Sequence, residues 1–299
     1  MTDRKESTAP YLALIAVQFF FGSLPVIGKV VLKVIPPISL VGFRVSVTAL
    51  VLVIFQVVRG RFWLKERGDY WRFAVLSLFG VTFNQLLFIN GLSRTTASNT
   101  SLLAVTIPIF ALSVGAIVGA ERLRALKIAG IILAAAGVLI IINPQKASFS
   151  LATTVGDLMI ILNSLSFGIY VATSKSIVTR NGAFRSMMWV FVFAAVVCVP
   201  LGAWSFSSVD AGSVEPLVWL LMVHIALIAT ATPYLLNAWA LARVNPSTVA
   251  VFIYLQPLIG FLLAVAFLGE HIEATFIIAA VLIFSGVFLV TKKFVPLET

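Results

Sequence analysis

The chain has 299 residues, 61% of them hydrophobic and 11% charged, with a mean hydropathy of +1.09. A soluble domain carries about 25% charged residues, so this composition excludes an ordinary globular domain and points to a membrane protein. The net charge of +10 raises nucleic acid as a partner. Basic residues dispersed through so apolar a chain are better explained as markers of cytoplasmic loops than as a phosphate-binding surface, and no nucleic acid is expected.

A helix crosses the hydrocarbon with about 20 residues. In chain order, charged residues and Pro or Gly punctuation leave apolar runs near 11–33, 38–58, 70–91, 97–118, 125–142, 153–175, 184–205, 216–240, 247–268 and 273–291. They predict an all-α integral membrane protein of ten transmembrane helices. The first run follows a charged MTDRKE start, is too long for a signal h-region and lacks a cleavage site, so it reads as a retained helix.

Polar residues in hydrocarbon are costly and face a cavity or another helix. In helix 1, Gln18, Gly22, Pro25 and Lys29 share one face by helical spacing. Arg44, about six residues into helix 2, reads as one half of a structural ion pair, with Asp157 as its candidate partner. Helix 3 offers Asn84, Gln85 and Phe88. In helix 4, Pro108 is a kink or a hinge, and Gly115-x-x-x-Gly119 reads as a helix-packing motif. Asn99 begins a formal glycosylation sequon that is incidental at a helix mouth.

Helix 6 presents Asn163, Phe167 and Tyr170 and ends near Lys175. Helix 8 carries His224, Pro233, Tyr234 and Asn237, and Tyr254, Gln256 and Pro257 interrupt helix 9. Each has two readings. The amides and tyrosines Gln18, Asn84, Gln85, Asn163, Tyr170, Tyr234, Asn237, Tyr254 and Gln256 line a substrate cavity, or they are interhelical hydrogen bonds worth about 0.6–2 kcal/mol each. Pro25, Pro108, Pro233 and Pro257 are hinges or static kinks. Lys29 and Lys175 anchor gates or snorkel to the interface. His224 is a proton carrier or a satisfied structural histidine.

Cys198 is the only cysteine, which excludes an intrachain disulfide and any thiolate metal site. Neither H-E-x-x-H nor G-x-S-x-G occurs. No catalytic residue, metal or cofactor is expected.

With the N-terminus inside, 16 of the 21 Lys and Arg residues fall in the inner segments, which puts both termini in the cytoplasm. An offset of 149 residues aligns 91–141 with 240–290, pairing Arg94 with Arg243, Ser98 with Ser247, Pro108 with Pro257, Glu121 with Glu270 and Gly137 with Gly286. An offset of 146 pairs Phe21-Gly22 with Phe167-Gly168 and Lys29 with Lys175. The chain therefore divides into repeats at 1–148 and 149–299. Because each holds five helices, the second lies inverted in the bilayer, the architecture of alternating-access transporters.

The FG…K pattern opening each half and the P…GE element ending each fourth helix (Pro108 to Glu121; Pro257, Gly269, Glu270) resemble the EamA-type drug/metabolite transporter superfamily. Ala120 before Glu121 departs from that pattern. Within the superfamily the chain is similar to YddG-like bacterial exporters of aromatic amino acids. The resemblance implies a central cavity enclosed by helices 1–4 and 6–9, with helices 5 and 10 peripheral. Small relatives use a membrane-embedded Glu for proton exchange, whereas Glu66, Glu121, Glu270 and Glu273 here all sit at predicted loop ends. Facilitated diffusion is as compatible as proton coupling.

The expectation is a bacterial inner-membrane exporter of small amphipathic metabolites, aromatic or other apolar amino acids first. It would work as a monomer in the lipid bilayer. A purine, a vitamin or an organic cation is the alternative cargo, and a non-transport membrane protein the alternative class.

Overall fold

The computed structural model describes residues 8–96, 99–100, 103–142, 151–259 and 274–291, and among these every regular element is helical. Six helices are long and apolar enough to cross a membrane: α1 (Ala9–Val31), α2 (Pro37–Val58), α3 (Gly68–Arg94), α6 (Leu151–Asn181), α7 (Ala183–Phe206) and α8 (Pro216–Leu241). Four shorter apolar helices complete the described chain: α4 (Thr106–Ile117), α5 (Ala125–Ile142), α9 (Pro246–Ile259) and α10 (Ala274–Thr291).

Helix starts follow proline, whose missing N–H costs nothing in a first turn: Pro10, Pro37, Pro216 and Pro246 each open a helix. Stops follow glycine. Gly119 (φ +71°) lies just beyond α4, and Gly182 (φ +82°) alone separates α6 from α7. The backbone there is left-handed, a region that glycine enters without a Cβ penalty. Gly119 therefore terminates a helix. A Cβ on it would meet nothing within 4 Å, so the packing role expected of Gly115-x-x-x-Gly119 is corrected.

Outside the bundle, large apolar side chains such as Leu12, Val58, Ile117, Val196, Leu220 and Phe288 stand exposed around the helices. Such a surface is compatible with lipid rather than water.

Helices approach most closely where glycine lets backbones touch. A Cβ on Gly42 of α2 would come 2.6 Å from the Cα of Gly202 in α7. Between α5 and α10, Gly130 meets the Gly286 carbonyl and Gly137 meets the Ala279 carbonyl. An offset of 149 converts one of these contacts into the other. These two helices pack chiefly against each other.

Two of the long helices are irregular in the same place. A π-helical turn interrupts α3 at Leu78–Thr82 and another interrupts α8 at Leu227–Ala231, both ends offset by 149 residues. The signature hydrogen bonds also correspond, Phe83 N–H to the Leu78 carbonyl and Thr232 N–H to the Leu227 carbonyl. Pro233 follows the second turn, but Asn84 holds its place after the first. Proline alone therefore does not cause the irregularity.

A second matched pair lies in the broken helices. The chain turns at Ala104–Val105 just before α4, and α9 tightens to a 3-10 turn at Phe252–Tyr254. Pro108 and Pro257 each lie three residues beyond the break. There the lost N–H and the ring interrupt the hydrogen-bond ladder. The Tyr254 hydroxyl donates to the Val105 carbonyl at 2.8 Å, so the broken helices meet at positions 149 residues apart.

Candidate functional site

The irregular turns leave carbonyls that side chains from other helices satisfy. Ser166 donates to the Phe79 carbonyl at 2.8 Å and Thr48 to the Ala226 carbonyl at 3.0 Å. The Tyr234 hydroxyl lies 3.1 Å from the Gly80 carbonyl and 2.9 Å from Asn84 Oδ1, and its one proton serves either. Asn163 donates to the Asn84 carbonyl at 2.7 Å. π turns are frequent at functional sites, and here each is followed within two to three residues by a residue on the wall of one central cavity, Asn84 and Gln85 after the first and Tyr234 after the second.

That cavity has about 770 Å³ of space between atoms, counting its open mouth. Its wall comes from both sequence halves. Phe21, Leu24, Arg44, Asn84, Gln85, Phe88, Thr100, Ala104 and Ile107 belong to the first. Ile160, Asn163, Phe167, Tyr234, Ile253 and Gln256 belong to the second. An apolar, partly aromatic lining with a few convergent polar groups is the usual make-up of a small-molecule site. No Asp or Glu lines it among the described residues.

Among the described residues Arg44 is the one charged group on this wall, and it is only 2% exposed. Its Nε donates to Thr230 Oγ1 at 2.9 Å, and Thr230 in turn donates to the Ile225 carbonyl at 2.6 Å. The expected Arg44–Asp157 ion pair does not form. Asp157 instead accepts from Thr95 Oγ1 at 2.5 Å and Asn99 Nδ2 at 3.0 Å, so two neutral donors already satisfy its carboxylate. The bond from Asn99, which is buried, agrees with an incidental sequon.

Of the nine residues expected at a cavity, the structure brings five together on this wall: Asn84, Gln85, Asn163, Tyr234 and Gln256. Gln18 stands one step behind, accepting from Gln256 Nε2 at 2.9 Å and donating to the Leu14 carbonyl. Tyr170 is buried off the wall, with its ring against Gly80, where a Cβ would come 2.5 Å from it. Tyr254 joins the two broken helices, and Asn237 is half-buried away from the wall. His224 is likewise off the wall, and its buried Nε2 has no hydrogen-bond partner among the described residues.

Pro25 lies within α1, but its side chain is outside the described residues. Arg44 and Thr100 are the polar wall residues that the sequence did not mark as cavity-lining. An arginine placed well inside a helix and far from any obligate partner is the signal that was present for the former.

The lining residues lie mostly past the middle of α1 and α3 and in the first halves of α2 and α6, toward the end of the bundle where α3 leads into α4. All ion pairs among the described residues lie at the opposite end. There Arg180 forks onto Asp69 and also pairs with Glu66 at 3.0 Å, while Asn181 donates to Asp69 at 2.7 Å.

Beside them Glu121 receives Lys127 at 2.5 Å and the Ser247 backbone N–H at 2.6 Å, a carboxylate capping the N-terminus of α9. Glu270, which the 149-residue offset pairs with Glu121, lies outside the described residues. Lys175 donates to Asn245 Oδ1 at 3.4 Å, and Lys29 donates to the Thr95 carbonyl at 2.7 Å. Each lysine thus ties the first helix of a half to the chain leaving its third.

Comparison with known proteins agrees with this architecture. A protein of known crystal structure superposes with a TM-score of 0.76 over 96% of this chain and 97% of its own, at 19% identity, a likeness of fold. An uncharacterized transporter of Archaeoglobus fulgidus is 25% identical over 89% of this chain and 91% of its own length. The uncharacterized transporter YoaV of Bacillus subtilis is 24% identical over 95% and 97%. A WAT1-related chloroplastic protein of Arabidopsis thaliana is 21% identical over 94% and 69%. The sequence model of the EamA-like transporter family matches residues 8–143 and again 154–292. Names of this family and these relatives indicate transport rather than enzymatic chemistry, and the chain belongs to the EamA-like transporter family.

Proposed function

We propose that the protein is a ten-span exporter of small amphipathic metabolites, aromatic or other apolar amino acids first, working by alternating access of two inverted halves. It would reside in a bacterial inner membrane with both termini in the cytoplasm and act as a monomer. The observation that carries the reading is the central cavity, whose wall is shared between the two halves and flanked by π turns 149 residues apart. The doubled family match and the offset-related contacts of α5 with α10 support the same division. A site at the interface of inverted repeats, beside irregular helices, is the arrangement that rocking of one half against the other exposes to each side in turn.

In this conformation polar networks close the end opposite the cavity. Opening it requires parting Glu121 and Lys127 from Ser247, and Asp69 and Glu66 from Arg180. Purified protein in liposomes should carry labelled tryptophan, phenylalanine, threonine or methionine with saturable kinetics that empty liposomes lack. Absence of saturable flux for all four would remove the amino-acid reading, and a purine, vitamin and organic-cation panel in the same vesicles tests the alternative cargo.

A further inference from the structure

Arg44 is a permanently charged group buried on the cavity wall, and among the described residues its one hydrogen bond goes to a neutral hydroxyl. Among the described residues its two terminal nitrogens meet no acceptor and no carboxylate neutralises it. An uncompensated cation in a low-dielectric interior is expensive, and the fork of a guanidinium matches a carboxylate in two parallel hydrogen bonds. Beside it on the same wall Gln85 is 2% exposed, and its amide faces the Tyr234 hydroxyl without closing a well-formed hydrogen bond. The cavity therefore holds a cation and an amide donor with unused capacity, and around them Phe21, Leu24, Phe88, Ile160 and Phe167 offer an apolar bed.

We propose that Arg44, assisted by Gln85, is the carboxylate anchor of this cavity, and that the substrate class is apolar or aromatic monocarboxylates with or without an amino group. The inference rests on the transport reading above and narrows it. The ammonium of an amino acid would meet only neutral acceptors, the side-chain amides and the Thr100 and Tyr234 hydroxyls, because no acidic side chain lines the wall among the described residues. The carboxylate is thus the required group and the amine is dispensable. Organic cations, which present nothing to Arg44 and are repelled by it, are excluded.

The test compares phenylalanine, phenylpyruvate and phenylalaninamide on the intact protein. Each is measured as an inhibitor of labelled phenylalanine flux in proteoliposomes and as a thermal stabiliser of the detergent-purified protein. The two acids should act alike, and the amide should be about 10- to 100-fold weaker, the cost of leaving a charged hydrogen-bonding site unpaired. Arg44→Met should abolish the preference for acids, and Arg44→Lys should retain part of it.

An amide as potent as the acids, or an acid preference surviving Arg44→Met, overturns the proposal. If Arg44→Met does not fold, the wild-type comparison and Arg44→Lys still decide. Flux without acid selectivity would leave the transport reading standing and overturn this one. Acid-selective stabilisation without flux would do the reverse, and neither response to any ligand would overturn both.

Discussion

Asp157 touches no cation among the described residues; Thr95 and Asn99 both donate to the same carboxylate oxygen. Hydrogen bonds to a charged acceptor are worth about 1 kcal/mol more than neutral ones. Asp157→Asn, which keeps the acceptor but removes the charge, should destabilise the protein by about that amount, read as a lower unfolding midpoint in detergent. The Arg44→Lys effect should add to it to within about 0.5 kcal/mol, as for groups that share no partner. A coupling well above about 1 kcal/mol would restore the ion pair the sequence suggests.

That pair was a reasonable expectation from charge alone. What the sequence could not reveal is that neutral donors from a neighbouring connection reach the carboxylate first. Asn84, Gln85, Asn163, Tyr234 and Gln256 were legible as wall residues because intramembrane amides and hydroxyls must face polar company. Tyr170 and Tyr254 obey the same rule but find that company elsewhere, at Met187 and at the Val105 carbonyl.

Elements were the most legible level. Proline at helix starts and glycine at stops punctuate the chain, so most predicted runs fall within a few residues of the described helices; helix 6 runs on to Asn181, the regular helix of the fourth run begins only at Thr106, and the end of the ninth run lies outside the described residues. The π turns were invisible, since LFGVT and LIATA are ordinary helical sequence; the tertiary donors Ser166, Tyr234 and Thr48, with Thr232 from the same helix, satisfy carbonyls in and beside them. Gly80 is the tight point, because its missing Cβ makes room for the Tyr170 ring while its carbonyl lies against Tyr234.

Gly80→Ala should cost about 1–3 kcal/mol through overpacking and impair flux, because displacing the turn shifts the wall residues Asn84 and Gln85 that follow it. Gly22→Ala, where a new Cβ meets nothing within 4 Å, should be neutral or stabilise α1 by up to about 1 kcal/mol. Thermal midpoints of the two variants side by side check the contrast, and equal losses would contradict it.

At the scale of the whole molecule, the repeat seen as a 149-residue register in the sequence reappears in paired π turns, paired broken helices and the self-corresponding contacts of α5 with α10. The asymmetry between a cavity toward one end and ion pairs at the other comes from conformation, which no internal repeat encodes. If the halves rock, the closed end must open once per cycle. Cys198 is buried and is the only native cysteine, so introduced cysteines can be addressed against a quiet background.

The most direct measurement is flux after tethering the closed end. Glu121 and Ser247, from opposite halves and joined at 2.6 Å through carboxylate and backbone N–H, are replaced by cysteines and bridged with a short reducible cross-linker in proteoliposomes. Alternating access predicts that phenylalanine flux falls to the level of empty vesicles and returns on reduction. Flux that persists undiminished with the bridge quantitatively formed would contradict it.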